Sequence, residues 1–512
     1  MTSRSTSSWA IAAVMTLGAA TSVGAATCES LLSFKLPNTI VTSAQVTAPG
    51  PFTIPQGGAP VNVPDPSVLA NLPSFCRVAA TLTPTSDSDI KVEVWLPVAG
   101  WNRKLQSVGN GAWAGSLPYP ALATAVAGGY AAAGTDTGHV GNSPRFVPGH
   151  PAKMIDYGYR AVHEMTVAAK AITAAFYGAA PVRSYWNGCS NGGRQALMEA
   201  WKYPADYDGI IAAAPVNFRT RQMTAELWVA HAVHVPEAGF IPASKYPAVH
   251  KAAVEACDMN DGLKDGLIDD PRECRFDPKV IECKAGDGPS CLTAPQVEAA
   301  RRIYTPMTRP SNKQALFPPL MPGGELVWGN LAGPQAVSEA VEFFQYVVLN
   351  DPNWDYKTLS FETAAEQGDQ AAAHLINVTE TNLKPFFDRG GKLLMWHGWN
   401  DQFVSPINSI NYYNGIRSNP ATTGKIDDSI KLFMVPGMDH CRGGEGPNVF
   451  DQMSVLDRWV EQKQTPTRIP ASHLTDGKVD RTRPLCAYPQ VARYNGSGSI
   501  DDAANFTCRA PK

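Results

Sequence analysis

Residues 188–192, Gly-Cys-Ser-Asn-Gly, hold a serine between glycines two positions to either side. A tight strand-to-helix turn needs that spacing to lift a hydroxyl above a sheet. Larger side chains at the glycine positions would strike the adjoining strand and helix, and the serine itself takes strained dihedrals. The backbone amide of Asn191, opening the following helix, can then face an oxyanion that forms during attack. A hydroxyl is a weak nucleophile until a base removes its proton, so the motif calls for a histidine and for an acid to orient it.

Ten histidines are available. On a sheet that carries such a turn, the chain order is nucleophile, acid, histidine, with the last two in loops after late strands. Asp401 meets this order in the loop beginning His397-Gly398-Trp399-Asn400, after the apolar run Lys392–Trp396. His440 meets it in Pro436-Gly437-Met438-Asp439-His440, after Ile430–Val435. Asp439 and Asp388 are weaker acid candidates, and Asp439 adjoins the histidine too closely to orient its ring. The other histidines read as surface or core residues. A second oxyanion donor is expected from the loop Gly109-Asn110-Gly111-Ala112, with Gly111 first and Ala112 second, against the plainer reading of a Gly-rich turn.

The elements that must position these residues read as an α/β sheet. Residues 27–88 are Pro-rich and irregular, whereas 89–97 alternate with Ile90, Val92, Val94 and Leu96 on one face, as a half-buried strand does. Lys104–Val108 is a second strand, Met154–Gly178 has helical periodicity, Arg183–Trp186 is a short strand, and a helix runs from the serine turn to Trp201. Strand, turn, helix is the order an α/β fold produces. Near residue 220 the character changes to loops, cysteines and aromatics, and sheet logic resumes at Lys392. We therefore divide the chain into a leader (1–26), a first core part (27–220), an inserted lid (221–385) and a second core part (386–512), since insertions above strand ends cover substrate sites.

Composition narrows the class. Charged residues are 17%, hydrophobic residues 44%, Gly 43 and Pro 42, with net charge −3. That describes a loop-rich globular chain with no electrostatic pull toward nucleic acid or an anionic membrane, and a small substrate is expected. Arg4 precedes an Ala-rich apolar run from Trp9 to Ala20 and the small residues Gly24-Ala25-Ala26, an export signal too short to anchor in a bilayer. The mature chain is expected to be secreted or periplasmic, from a bacterial exporter.

Ten cysteines fit that compartment, and no spacing forms a zinc-type CxxC pair. Sequence alone does not choose the pairing. Local order makes Cys257–Cys274, Cys283–Cys291 and Cys486–Cys508 natural guesses and leaves Cys28–Cys76 and Cys189–Cys441. The last pair would tie the serine's turn to the histidine's loop, because Cys189 adjoins Ser190 and Cys441 adjoins His440.

The stretch from Cys257 to Asp269 sets aspartates at intervals of three or four with glycines between. A hard cation such as Ca²⁺ takes six to eight oxygens, which carboxylates and main-chain carbonyls can supply. No frame gives both the central glycine and the terminal glutamate of an EF-hand. The plainer reading is a solvated acidic turn.

These residues together resemble the tannase and feruloyl esterase family, which also includes the hydrolase of mono(2-hydroxyethyl) terephthalate. The resemblance spans nearly all of the mature chain. It rests on Gly-Cys-Ser-x-Gly-Gly at 188–193, Asp401 after His-Gly-Trp, His-Cys at 440–441, Cys-Asp-x-x-Asp-Gly at 257–262 and the ten-cysteine layout. It implies an α/β-hydrolase core, an inserted lid with structural calcium and no organic cofactor, and hydrolysis of aromatic acid esters. By position, the calcium ligands would be Asp258, Asp261, Asp265 and the carbonyls of Leu263 and Leu267.

Lid aromatics that could stack on an acyl group are Trp228, Phe317, Trp328, Phe343, Phe344, Tyr346, Trp354 and Phe361, most of them expected to be core. Between Arg309 and Arg389 there is no arginine, only Lys313, Lys357 and Lys384. That weakens capture of a free terephthalate carboxylate and favours hydroxycinnamate or gallate esters. The rivals are a terephthalate monoester hydrolase, a serine peptidase of the same fold and a catalytically silent calcium-dependent binding protein. The sequence leaves the oligomeric state open.

Overall fold

In the computed structural model, which describes residues 26–55, 66–422 and 426–511, nine strands form one mixed sheet. In chain order they are β1 (Thr39–Thr47), β2 (Phe75–Leu82), β3 (Ile90–Pro97), β4 (Lys104–Val108), β5 (Ala131–Thr135), β6 (Arg183–Cys189), β7 (Gly209–Ala213), β8 (Lys392–Gly398) and β9 (Ile430–Val435). Their spatial order is β1-β2-β3-β5-β4-β6-β7-β8-β9. The first four pair antiparallel, and from β5 onward every pairing is parallel.

The parallel half is covered by helices on both faces, so its strands are short continuous apolar runs. In β8 Leu393 and Met395 point to one face and Leu394 and Trp396 to the other. The first face packs against α2 (Ala161–Tyr177), α3 (Asn191–Lys202) and α8 (Pro406–Ser418), through Met165, Ile172, Leu197, Ile410 and Ile416. The second packs against α9 (Gln452–Gln462) through Leu456 and Trp459. Helix α1 (Tyr119–Ala127) covers the same side nearer β3 and β5.

Residues 214–391 separate β7 from β8, which are neighbours in the sheet. This insertion contains α4 (Arg219–His234), α5 (Tyr246–Cys257), α6 (Ala294–Ile303) and α7 (Ala364–Ile376) and has apolar clusters of its own. After α9 the chain ends in two hairpins, β10 (Arg468–Thr475) with β11 (Lys478–Cys486) and β12 (Val491–Tyr494) with β13 (Phe506–Arg509). No helix among the described residues is long and apolar enough to cross a membrane. The expected leader lies almost wholly in residues 1–25, outside the described residues.

Three expectations need correction. The segment 27–88 is not irregular throughout, since it holds β1 and β2. Strand β3 is not half-buried, because Glu93 and Trp95 on its second face are buried as well, under α1 and the chain around Phe52. The helix expected from Met154 is interrupted by a π-turn at Asp156–Arg160 before α2 begins.

On the helical face opposite α9, one buried acid lacks a donor. Glu199 on α3 is 1% exposed, and neither of its carboxyl oxygens has a hydrogen-bond partner. Burial, and then the charge of Asp206, pushes its pKa well above the ordinary 4.5. The folded state thus keeps a proton that the unfolded chain releases as pH rises past its own pKa, so this group's contribution is complete at low pH and is lost on going up. Glu199→Gln has no proton to hold. Its melting temperature is expected to gain on the parent's between pH 5 and pH 8, and an offset equal at both pH values contradicts the reading.

Candidate active site

The register of the parallel strands brings distant residues to one edge. Cys189 pairs with Ala213, Ala213 with Trp396, and Trp396 with Phe433. The three loops beyond these strand ends carry Ser190, Asp401 and His440.

Ser190 follows β6 directly and precedes α3, with φ 63° and ψ −122°. Its amide donates to Ala213 O (3.0 Å) and its carbonyl accepts from Arg194 N (3.0 Å), so strand β7 and the first helical turn hold the strained residue from both sides. Around the turn, Gly188 and Gly109 are required by contact. A Cβ on Gly188 would lie 2.4 Å from Gly192 O, and one on Gly109 would lie 2.5 Å from Gly192 Cα. The Gly109–Ala112 loop therefore rests directly on the serine turn.

Two residues missed by sequence reasoning lock that contact. Tyr157 Oη donates to Ala112 O (2.9 Å). Arg194, fully buried, donates from Nε to Asn191 Oδ1 (2.6 Å) and from its other nitrogens to the carbonyls of Gly158 (2.8 Å) and Tyr157 (3.2 Å). Both carbonyls belong to the π-turn at Asp156–Arg160. Asn110 Nδ2 donates to Thr135 O (2.7 Å) and its amide donates to Gln195 Oε1 (3.0 Å), fixing the other end of the loop.

Asp401 is buried, and both of its oxygens are fully engaged. Oδ1 accepts from the amides of Phe403 and Val404, each at 2.8 Å. Oδ2 accepts from His440 Nδ1 (2.6 Å) and His397 Nε2 (2.9 Å). Burial alone raises the pKa of this carboxyl, but the two imidazoles outweigh it and hold the group well below the usual carboxylate range. The second imidazole was not anticipated. His397 belongs to β8 and not to the loop, and the strand alternation gives no sign of what its ring meets.

His440 also has its amide held by Gln402 Oε1 (3.1 Å) and its ring packed edge-on to Phe403 (5.3 Å). The other acids considered stand elsewhere. Asp388 pairs with Lys384 on an exposed helix end. Burial, then the charges of Asp401 and Glu445, pushes Asp439 up to about 7, so it is ill suited to serve as a fixed anion.

All five disulfides of the structure are local or site-related: Cys28–Cys76, Cys189–Cys441, Cys257–Cys274, Cys283–Cys291 and Cys486–Cys508. Cys189–Cys441 spans 252 residues and sets the Cα atoms on the serine and histidine loops 6.0 Å apart. Beside it lies a cavity of about 240 Å³, lined by Gly111, Ser190, Leu117, Pro118, Trp396 and Arg442 among others. None of the eight lid aromatics considered above lines it. Trp328 is instead buried in a cluster of the insertion's own, and Phe343 and Phe344 are buried in one shared with Trp113, Met154 and Tyr157 of the core.

In the acidic loop, Asp261 and Asp265 each accept the amide two residues on, from Leu263 (2.8 Å) and Leu267 (3.2 Å). Asp258 accepts the amides of Asp265 and Gly266, both at 3.1 Å, and Arg483 donates to Asp265 Oδ2 (2.8 Å). The donors are all oxygen and suit a hard cation in type. They are not drawn into one tight cluster, and a cation would compete with Arg483 for Asp265. Among the described residues, the group of His, Asp and Glu ligand atoms that does lie within 4.8 Å is His163, Glu199 and Asp206, away from this loop.

If the long-range disulfide fixes the separation of two reacting loops, its loss should act on rate as well as on stability. Cys189→Ala with Cys441→Ala is expected to lower kcat/KM on a small aryl ester by about 10- to 100-fold at temperatures well below unfolding. Removing Cys486–Cys508 is expected to lower only the melting temperature. Equal rates in the two variants would show the bond to be a plain staple.

The sequence profile of the tannase and feruloyl esterase family matches residues 76–509. An uncharacterised esterase of Xanthomonas campestris is 36% identical, over 98% of this chain and 93% of its own. A probable feruloyl esterase B-1 of Aspergillus oryzae is 30% identical over 85% of this chain and 84% of its own. The crystal structure of feruloyl esterase B from Aspergillus oryzae superposes with TM-score 0.86 at 29% identity, covering 94% of this chain and 99% of that one. Tannin acyl hydrolase from Aspergillus niger shares the fold with TM-score 0.78 at 21% identity over 94% of each chain. With its mixed sheet, its serine turn between β6 and α3 and these relatives, the chain belongs to the tannase and feruloyl esterase family, carboxylic ester hydrolases built on the α/β-hydrolase fold.

Proposed function

We propose that the protein is an exported serine esterase that hydrolyses esters of aromatic acids, hydroxycinnamoyl or galloyl esters, through an acyl-enzyme. The observation that carries this reading is the His440–Asp401 hydrogen bond (2.6 Å), made in loops whose strands stand in register with the serine turn. With a carboxylate on Nδ1, the imidazole keeps its proton there and leaves the Nε2 lone pair as the base. Ser190 Oγ attacks the ester carbonyl as Nε2 takes its proton, and that proton leaves with the departing alcohol. Water then repeats the sequence on the acyl-serine. The amides of Asn191 and Gly111 are assigned to the oxyanion, Gly111 on the ground that its loop rests on the serine turn. The cavity's apolar wall of Leu117, Pro118 and Trp396 suits a flat acyl group. The insertion is read as a lid, and the five disulfides suit an oxidising compartment.

Ser190→Ala is expected to lose at least about a thousandfold in kcat/KM with little change in melting temperature. A fluorophosphonate should label the parent protein and not the variant. Methyl ferulate, caffeate and gallate are expected to outpace mono(2-hydroxyethyl) terephthalate. A near-parental rate in Ser190→Ala removes the serine mechanism, while a terephthalate rate above all others removes only the substrate assignment.

We further propose structural calcium in the acidic loop, held by Asp258, Asp261, Asp265 and the carbonyls of Leu263 and Leu267. It would supply charge compensation and stiffness, with no part in the acyl transfer. Chelation is expected to lower the melting temperature by roughly 3–6 °C, reversed by added Ca²⁺ and absent in Asp261→Asn. Identical melting with chelator and with excess Ca²⁺ would overturn it.

A further inference from the structure

His397 is a fully buried polar residue whose ring nitrogens meet three partners. Nε2 faces two acceptors, Asp401 Oδ2 at 2.9 Å and Val404 O at 3.1 Å, so it carries a proton in every state of the ring. Nδ1 faces the hydroxyl of Ser409 on α8 at 2.7 Å, which can either donate or accept. The ring is thus a standing donor to the same carboxylate oxygen that receives His440.

We propose that His397 is a positioning residue for the acid–base pair, holding Asp401 Oδ2 in place and sharing it with His440, so that it sets how strongly the acid pulls on the base. The proposal rests on the assignment of Asp401 and His440 given above. A carboxylate oxygen that accepts two charge-assisted bonds gives each less than it would give one alone. With His397 absent, all of the pull of Oδ2 falls on His440 Nδ1–H and the imidazolium gains. The surroundings do not compete with this effect. Met434, the strand neighbour of His397 on β9, and Ser409 on α8 carry no charge. Asp439 and Glu226 bear on Asp401 only through space.

The test is the pH dependence of kcat/KM on 4-nitrophenyl acetate. In His397→Met the acid limb is expected to move up by about half to one pH unit. In His397→Gln, whose amide can donate to the same oxygen, it should stay where the parent has it. Ser409→Ala leaves Nδ1 without its hydroxyl and makes Nε2–H a poorer donor, so a smaller upward move is expected. Lower rates with an unmoved limb in both His397→Met and Ser409→Ala reduce the residue to a structural one and overturn the proposal, as does a Gln variant that moves as far as Met. Should the Met variant not fold, Ser409→Ala decides alone. Activity that survives Ser190→Ala overturns the triad assignment instead, whatever the profile.

Discussion

A carboxylate buried as deeply as Asp401 is the most demanding group in the site, because an ion taken out of water costs several kcal/mol unless donors replace the solvent. Four donors do so here, two amides on one oxygen and two imidazoles on the other. The amides exist only if the chain turns sharply after β8, so that Phe403 and Val404 fold back on Asp401. The imidazoles exist only if β8 ends in register with β9 and α8 returns over its face. Much of the second half of the core can be derived from keeping this one anion ionised.

The serine turn sets the complementary constraint. A residue held at φ 63° persists only when its surroundings over-determine it. Strand β7 takes its amide, α3 takes its carbonyl, and the Gly109–Ala112 loop presses on Gly192 beside it. Tyr157 and Arg194 close the arrangement from beneath, and Arg194 does so through two carbonyls of the π-turn. An interruption that weakens one helix thus stiffens the turn on which the nucleophile stands.

What could be read in the chain follows from which forces are local. Residues 188–193 announce a turn because close approach leaves only glycine at fixed offsets. Cysteines beside Ser190 and His440 mark those loops as neighbours. β1 escaped notice because Thr39–Thr47 is rich in Thr, Ser and Gln, as befits an edge with little to bury. β5 and β7 are almost all alanine and glycine apart from Ile210 and Ile211, small because helices pack closely over them. His397 and Arg194 act through contacts that close only in three dimensions, and no spacing along the chain reports them. The aromatic residues of the insertion misled in the opposite sense: they suggested a binding wall, but they pack within the insertion and, through Phe343 on Trp113, join it to the core.

That last point changes what the insertion can do for the site. It does not line the cavity with its rings, yet it grips the acid's loop on both sides of Asp401. Asn400 Nδ2 donates to Gly323 O (2.7 Å), and a Cβ on Gly324 would lie 2.6 Å from Asn400 O, so the two backbones meet there without room for a side chain. On the other side Gln222 of α4 donates to Phe403 O (3.4 Å), and the edge-on contact of Phe403 passes the support to the His440 ring. An insertion that only covered the cleft could vary freely in its attachment. One that also braces the acid's loop is bound to keep α4 and the Gly323–Gly324 turn in register with β8. Its freedom to change therefore lies in the parts farther from that seam, where a change can alter access to the cavity without moving the carboxylate.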